Sequence, residues 1–133
     1  MRVFLVRHAH AEKGEPDELR PLSQRGREEA RAVATQLAGR DDPPAVVVTS
    51  PLLRARQTAE RIAQASSVEI RVDERLAPGA TAALLRQVVD GEDGPAAVVG
   101  HQPDFSEIAF ELTGQDPGFP TGGVAEIELE AQP

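Results

Sequence analysis

The chain has 133 residues, no cysteine and a formal charge of −8. That length suits one compact domain over residues 1–133, and the missing thiol excludes disulfides, thiolate metal sites and cysteine nucleophiles. Four Phe with no Trp or Tyr leave a core of Leu, Val, Ile and Ala, and no stacking platform for single-stranded nucleic acid.

The charge is unevenly placed. Residues 1–64 carry 11 basic and 9 acidic side chains, whereas residues 65–133 carry 3 and 13. Overall acidity argues against a nucleic-acid partner, while the arginines of the first half suit a small anion. Arginine outnumbers lysine 13 to 1. Genomic base composition explains that ratio as readily as a need for bidentate phosphate binding. No apolar run approaches the roughly 20 residues that span a bilayer, and Val3–Val6 is too short for a signal-peptide core. A cytoplasmic monomer without membrane association is expected.

In chain order, Val3–Val6 reads as a strand buried on both faces. Ser23 is a good N-cap for a helix carrying Ala30, Val33, Ala34 and Leu37, which Gly39 stops. Val46–Val48 is a second buried strand. A helix from about Pro51 places Ala55, Ala59, Ile62 and Ala63 on one face. Val68–Val72 alternates and belongs nearer an edge. Leu84, Leu85, Val88 and Val89 mark a third helix ending near Gly91. Ala96–Val99 is a third buried strand, and a fourth helix from near Pro103 carries Phe105, Ile108, Ala109 and Leu112 to Gly114. Val124–Glu130 alternates as a last edge strand. Ala9–Pro21 and Asp116–Gly123 are polar loops. The alternation predicts a three-layer α/β/α sandwich on a sheet of about five strands, four parallel and the last antiparallel.

Ligands in such sheets bind at the carboxyl ends of the strands. Those ends deliver Arg7-His8, Ser50 with Arg54 one helical turn on, and Gly100-His101. Two arginines can clamp phosphoryl oxygens, and a neutral histidine can attack phosphorus. Helix N-termini near Pro51 and Pro103 would add partial positive charge. The set suits phosphoryl transfer with no metal and no cofactor.

The same residues stand in motifs that resemble the histidine phosphatase superfamily, with its phosphoglycerate-mutase-like fold. Leu5-Val6-Arg7-His8-Ala9 resembles its Arg-His-Gly signature. Ser50-Pro51-Leu52-Leu53-Arg54-Ala55-Arg56-Gln57-Thr58 is similar to its Ser-Pro-x-x-Arg-Ala-x-x-Thr motif. Gly100-His101-Gln102-Pro103 is similar to its second-histidine turn, and Arg20–Gly26 to the segment opening its first helix. The short length and Ala77-Pro78-Gly79-Ala80 resemble its small bacterial phosphohistidine phosphatases. The resemblance implies that His8 is the nucleophile and that Arg7, Arg54 and His101 bind the phosphoryl group.

Two departures bear on the chemistry. Ala9 stands where the family has glycine, which is tolerable unless φ is positive there. Larger members carry a glutamate after the third strand as general acid; Arg75-Leu76-Ala77-Pro78-Gly79 has none, and Glu74 is expected to point elsewhere. Asp17 is the preferred candidate for the acid, with His101, if protonated, as the second. A phosphoramidate needs less help from an acid than an alcohol leaving group does. Phosphohistidine on a protein is therefore the expected substrate, in an open pocket without a lid. The alternatives are a phosphatase for small phosphorylated metabolites and a phosphate-binding module without turnover. His8-x-His10 with His101 could be read as a metal triad, but the chain is too short for the barrels that use one, and two arginines would repel the cation. Gln57 and Thr58 are expected to orient Arg54 or pack the helix. The acidic second half is expected to keep its carboxylates mostly away from the pocket.

Overall fold

The computed structural model describes residues 1–130. Its sheet holds β1 (Arg2–Arg7), β2 (Val46–Thr49), β3 (Ile70–Val72), β4 (Ala96–Gly100) and β5 (Val124–Glu128), in the order β3-β2-β4-β1-β5. The first four are parallel to one another, and β5 runs antiparallel to β1. Both alternating segments lie at edges, as their period predicts, but both strands are shorter than expected. β3 starts at Ile70, and β5 ends at Glu128.

Four helices cover the sheet: α1 (Gln24–Ala38), α2 (Leu53–Ser66), α3 (Ala82–Val89) and α4 (Asp104–Thr113). The strand period of two divides the core between two faces. Phe4 and Val6 pack with Val33, Leu37, Ala59 and Ile62 beneath α1 and α2. Val3 and Leu5 pack with Leu85, Val88, Phe105 and Ile108 beneath α3 and α4. Because both faces are covered, the central strands read as continuous apolar runs.

Local signals position the helices. The Ser23 side chain accepts from Gly26 N–H and caps α1, as Thr81 does for α3 through Leu84 N–H. Gly26 has a second reason to be glycine. A Cβ there would lie 1.8 Å from the carbonyl oxygen of His10, so the helix start touches the loop after β1. Gly100 likewise leaves room for the Phe105 ring, which a Cβ would meet at 2.5 Å. Phe105 in turn packs on Phe119, with ring centroids 6.1 Å apart, and carries the core up to the loop before β5. Among the described residues no helix is long and apolar enough to cross a membrane.

Candidate active site

β1, β2 and β4 are adjacent, so Arg7, Ser50 and His101 emerge at one rim. Their ends are stitched together: Ser50 N–H donates to Val99 O at 3.0 Å, and His8 N–H to Gly100 O at 3.0 Å. The rings of His8 and His101 lie 5.2 Å apart, centroid to centroid.

His8 Nδ1 is 2.8 Å from the carbonyl oxygen of Ala9. A carbonyl only accepts, so Nδ1 carries the proton and Nε2 keeps its lone pair. Burial, helped by the positive charges of Arg54, Arg7 and Arg20, pushes the His8 pKa from 6.5 down to about 4, against the pull of the Ala9 carbonyl. The ring is therefore neutral near pH 7. His101 is buried and pushed further down, to about 3, by desolvation and by the neighbouring His8 and Arg54. Its Nε2 lies 2.7 Å from Ser50 Oγ, which also accepts from Leu52 N–H at 3.2 Å.

Two guanidinium groups flank the imidazoles. Arg7 donates through Nη1 to the Phe119 carbonyl at 2.8 Å. Arg54 is buried, with Nη1 on the Asp17 carbonyl at 2.9 Å and Nη2 on the Asp17 carboxylate at 3.2 Å. The Nε of both arginines is buried and has no hydrogen-bond partner among the described residues. The Nη atoms of both already hold carbonyl oxygens and, at Arg54, a carboxylate, the kind of acceptor an oxyanion also offers.

Asp17 reaches the site, but not in the form of an acid. Hydrogen bonds from Arg54 and Arg20 hold its carboxyl below the usual carboxylate range, so it is ionised here and has no proton to give. Glu74 is exposed at the start of a short turn, and Asp73 is occupied by Arg75.

The supporting residues divide between those the sequence marks and those it hides. Thr58 accepts from Ala9 N–H at 3.0 Å and donates to Arg54 O at 2.9 Å, linking the histidine loop to the arginine helix. Gln57 accepts from Leu22 N–H at 2.8 Å. Both act on loops rather than on the Arg54 side chain. Ala9 has no positive φ, and its methyl packs with Leu22 and Ala30, so the departure from glycine costs nothing in backbone strain. His10 pairs its Nδ1 with Ser23 Oγ at 2.7 Å and belongs to the helix cap. Among the described residues no group of three His, Asp or Glu could hold a metal ion. Asp104, the acidic residue nearest His101 in sequence, is tied to Gly79 and Ala80 N–H.

The sequence marks Asp116–Gly123 as a polar loop but gives it no part in the site. Gly122 N–H donates to the carbonyls of Arg7 and His8, at 3.1 and 3.2 Å, from a backbone at φ +72°. Glu29 of α1 joins this loop to the one after β1: its carboxylate accepts from His10 N–H at 2.9 Å and from Thr121 Oγ1 at 3.0 Å. Two glycines between Thr121 and Val124 were the only signal in the sequence.

Residues 3–78 match the family model of the histidine phosphatase superfamily, branch 1. The chain belongs to the histidine phosphatase superfamily. Within it the chain falls in the SixA-like branch. It is 30% identical to the phosphohistidine phosphatase SixA of Escherichia coli, over 98% of this chain and 86% of that one. It is 35% identical to an uncharacterised protein of a Picosynechococcus strain, over 98% and 87% of the two chains. A solved structure of the protein histidine phosphatase SixA complexed with tungstate superposes with a TM-score of 0.87 at 29% identity, covering 98% of this chain and 89% of that chain. As a member of this branch the protein is a hydrolase of phosphate esters or phosphoramidates.

Proposed function

We propose that the protein removes the phosphoryl group from phosphohistidine on another protein, through a phosphorylated His8. The observation that carries this reading is the neutral His8, with its lone pair on Nε2, beside His101 and under the positive charges of Arg7 and the buried Arg54. Nε2 attacks phosphorus, the bond from phosphorus to the leaving nitrogen breaks, and that nitrogen departs carrying a proton. Water then attacks phospho-His8, the Nε2–P bond breaks, and inorganic phosphate leaves. Arg7, Arg54 and His101 take up charge on the phosphoryl oxygens throughout.

The proton for the leaving group has a physical source in Asp17. A phosphoryl dianion that takes Arg54 removes the hydrogen bond that now depresses the Asp17 pKa and adds a negative charge beside it. Both changes raise that pKa. His101 rises for the second of these reasons and can donate to the phosphoryl oxygens. Phosphohistidine makes a modest demand on either group, because its nitrogen can be protonated before the bond breaks. Two things support that substrate: the likeness to proteins named for acting on it, and the lack of a glutamate at the matching turn.

The test compares a phosphohistidine protein, an aryl phosphate and several phosphorylated metabolites, with wild type and His8→Ala. Rapid transfer of label from the phosphohistidine protein to wild type alone, followed by release of phosphate, is the expected result. Faster turnover of a metabolite would move the substrate to that class. Binding without labelling would make the protein a phosphate-binding module.

A further inference from the structure

A cavity of about 510 Å³ opens from Arg7 and His8, between the loop after β1 and Thr121 of the loop before β5, and Arg20 lines it. The bonds of Arg20 close a ring. Its Nε donates to Asp17 Oδ1 at 3.0 Å, and its Nη1 to the Glu12 carbonyl at 3.1 Å. Its own N–H donates to Asp17 O at 3.2 Å, and Glu12 N–H donates to Pro21 O at 2.8 Å. One guanidinium thus ties the Asp17 carboxylate to the segment that follows the nucleophile.

Asp17 divides its carboxylate between two arginines. Oδ2 lies on Arg54 Nη2 at 3.2 Å, and Oδ1 lies on Arg20 Nε. The two bonds have different fates. A phosphoryl group takes Arg54, and Oδ2 loses its donor. Arg20 is anchored on the Glu12 carbonyl and keeps Oδ1. The Asp17 side chain leaves 62% of its surface in solvent, and its carboxylate has no third partner among the described residues. Without Arg20 it would be free to turn into water once Arg54 is engaged.

We propose that Arg20 is a positioning residue, which holds Asp17 at the site after the phosphoryl group has displaced it from Arg54. The proposal rests on the reading of Asp17 as proton source and adds what keeps that source in place. Asp17 takes a proton from solvent once the phosphoryl dianion is bound. Its Oδ2–H gives that proton to the leaving oxygen or nitrogen as the bond to phosphorus breaks. The carboxylate regains a proton from the water that attacks phospho-His8. Arg20 acts on this group in two opposed ways. It fixes the position, which speeds transfer, and its charge favours the ionised form, which lowers the fraction protonated. The charged groups acting on Asp17 are Arg54 of α2 and Arg20 of its own turn, and His101 after β4 feels the carboxylate in return.

The test follows phenol release from phenyl phosphate in a single turnover at saturating substrate, so that the groups titrating are those of the complex. Arg20→Ala should slow this step by about fivefold, as much as a largely exposed ion pair allows. It should also move the fall in rate at high pH, where Asp17 loses its proton, to higher pH. A slower rate with no such move would mark a loosened loop and overturn the proposal. Arg20→Lys keeps the charge but not the fork, and should return the fall to its wild-type pH and recover part of the rate. In an Asp17→Asn background Arg20→Ala should cost nothing further. An equal loss in that background would mean that Arg20 acts on the phosphoryl group itself, and the proposal fails. A wild-type rate for Arg20→Ala beside a slowed Asp17→Asn overturns the positioning role alone. No phenol release by wild type, or a wild-type rate for Asp17→Asn, would mean that Asp17 is no proton donor, and the proposal falls with that reading. Labelling of His8 by a phosphohistidine protein, measured alongside, reports separately whether the phosphohistidine reading stands.

Discussion

Ser50 and His101 meet across two neighbouring strand ends, with Oγ 2.7 Å from Nε2. The contact holds the imidazole by one nitrogen and leaves Nδ1 without a partner among the described residues. Ser50 is itself fixed by Leu52 N–H on its oxygen and by its own N–H on Val99 O. Ser50→Ala should therefore act on phosphoryl transfer more than on folding. We expect phosphoenzyme formation to slow by about tenfold or more. The accompanying loss of stability should be about 1 kcal/mol, read from denaturant unfolding. In a double mutant with His101→Ala the kinetic losses should not add, because the hydroxyl acts through the ring.

Glu29 couples the two loops that wall the cavity. Burial alone would raise its pKa, but the donors His10 N–H, Thr121 O–H and Arg25 outweigh that and hold it down. Glu29→Ala leaves the His10 N–H without its acceptor and frees Thr121. Glu29→Gln keeps an acceptor for His10. The expected outcome is a rise in KM of about tenfold for Ala with a smaller change in kcat, and a milder rise for Gln. An equal fall in kcat for both variants would instead mean that the carboxylate charge itself is needed.

Both imidazoles give stability a definite dependence on pH. Their pKa values, about 4 for His8 and about 3 for His101, lie below the 6.5 of an unfolded chain. Between those limits the unfolded state binds more protons than the folded one, so stability rises with pH. It should be complete above about pH 6.5 and lost as the pH falls towards 4, by about 3 kcal/mol from His8. Chemical denaturation at pH 7, 6, 5 and 4 measures this directly. His8→Ala should flatten the curve, and so should an added oxyanion, which stabilises the charged rings.

The sheet and the strand-end positions at its rim were legible because they depend on local patterns. Apolar runs of three or four residues mark strands buried on both faces, and the strand ends then place Arg7, His8, Ser50 and His101 without further information. Thr58 could be noticed but not assigned, since its bond to Ala9 N–H joins residues 49 apart in sequence. Glu29 and Thr121 are 92 apart, and no spacing rule connects them. Gly26 read as part of a helix start, whereas its contact with the His10 carbonyl exists only once α1 docks on the loop. What was hidden is long-range polar contact; what was visible is local period and strand-end position.

Asp17 competes with substrate before it can serve it. Its carboxylate lies on Arg54 Nη2 at 3.2 Å, so binding an oxyanion at Arg54 means displacing an anion already present. Asp17→Asn removes that competitor and the candidate proton donor together, and the two effects have opposite signs. Binding of inorganic phosphate or vanadate should tighten by about threefold, a modest change because the pair is largely exposed on the Asp17 side. Turnover of phosphohistidine should fall less than that of an aryl or alkyl ester, because the ester oxygen has no proton of its own as it leaves. Calorimetric titration with the oxyanion and parallel rate measurements on the two substrate classes separate these effects. Tighter binding with an unchanged ester rate would leave Asp17 as a gate on Arg54 and move the acid role to His101.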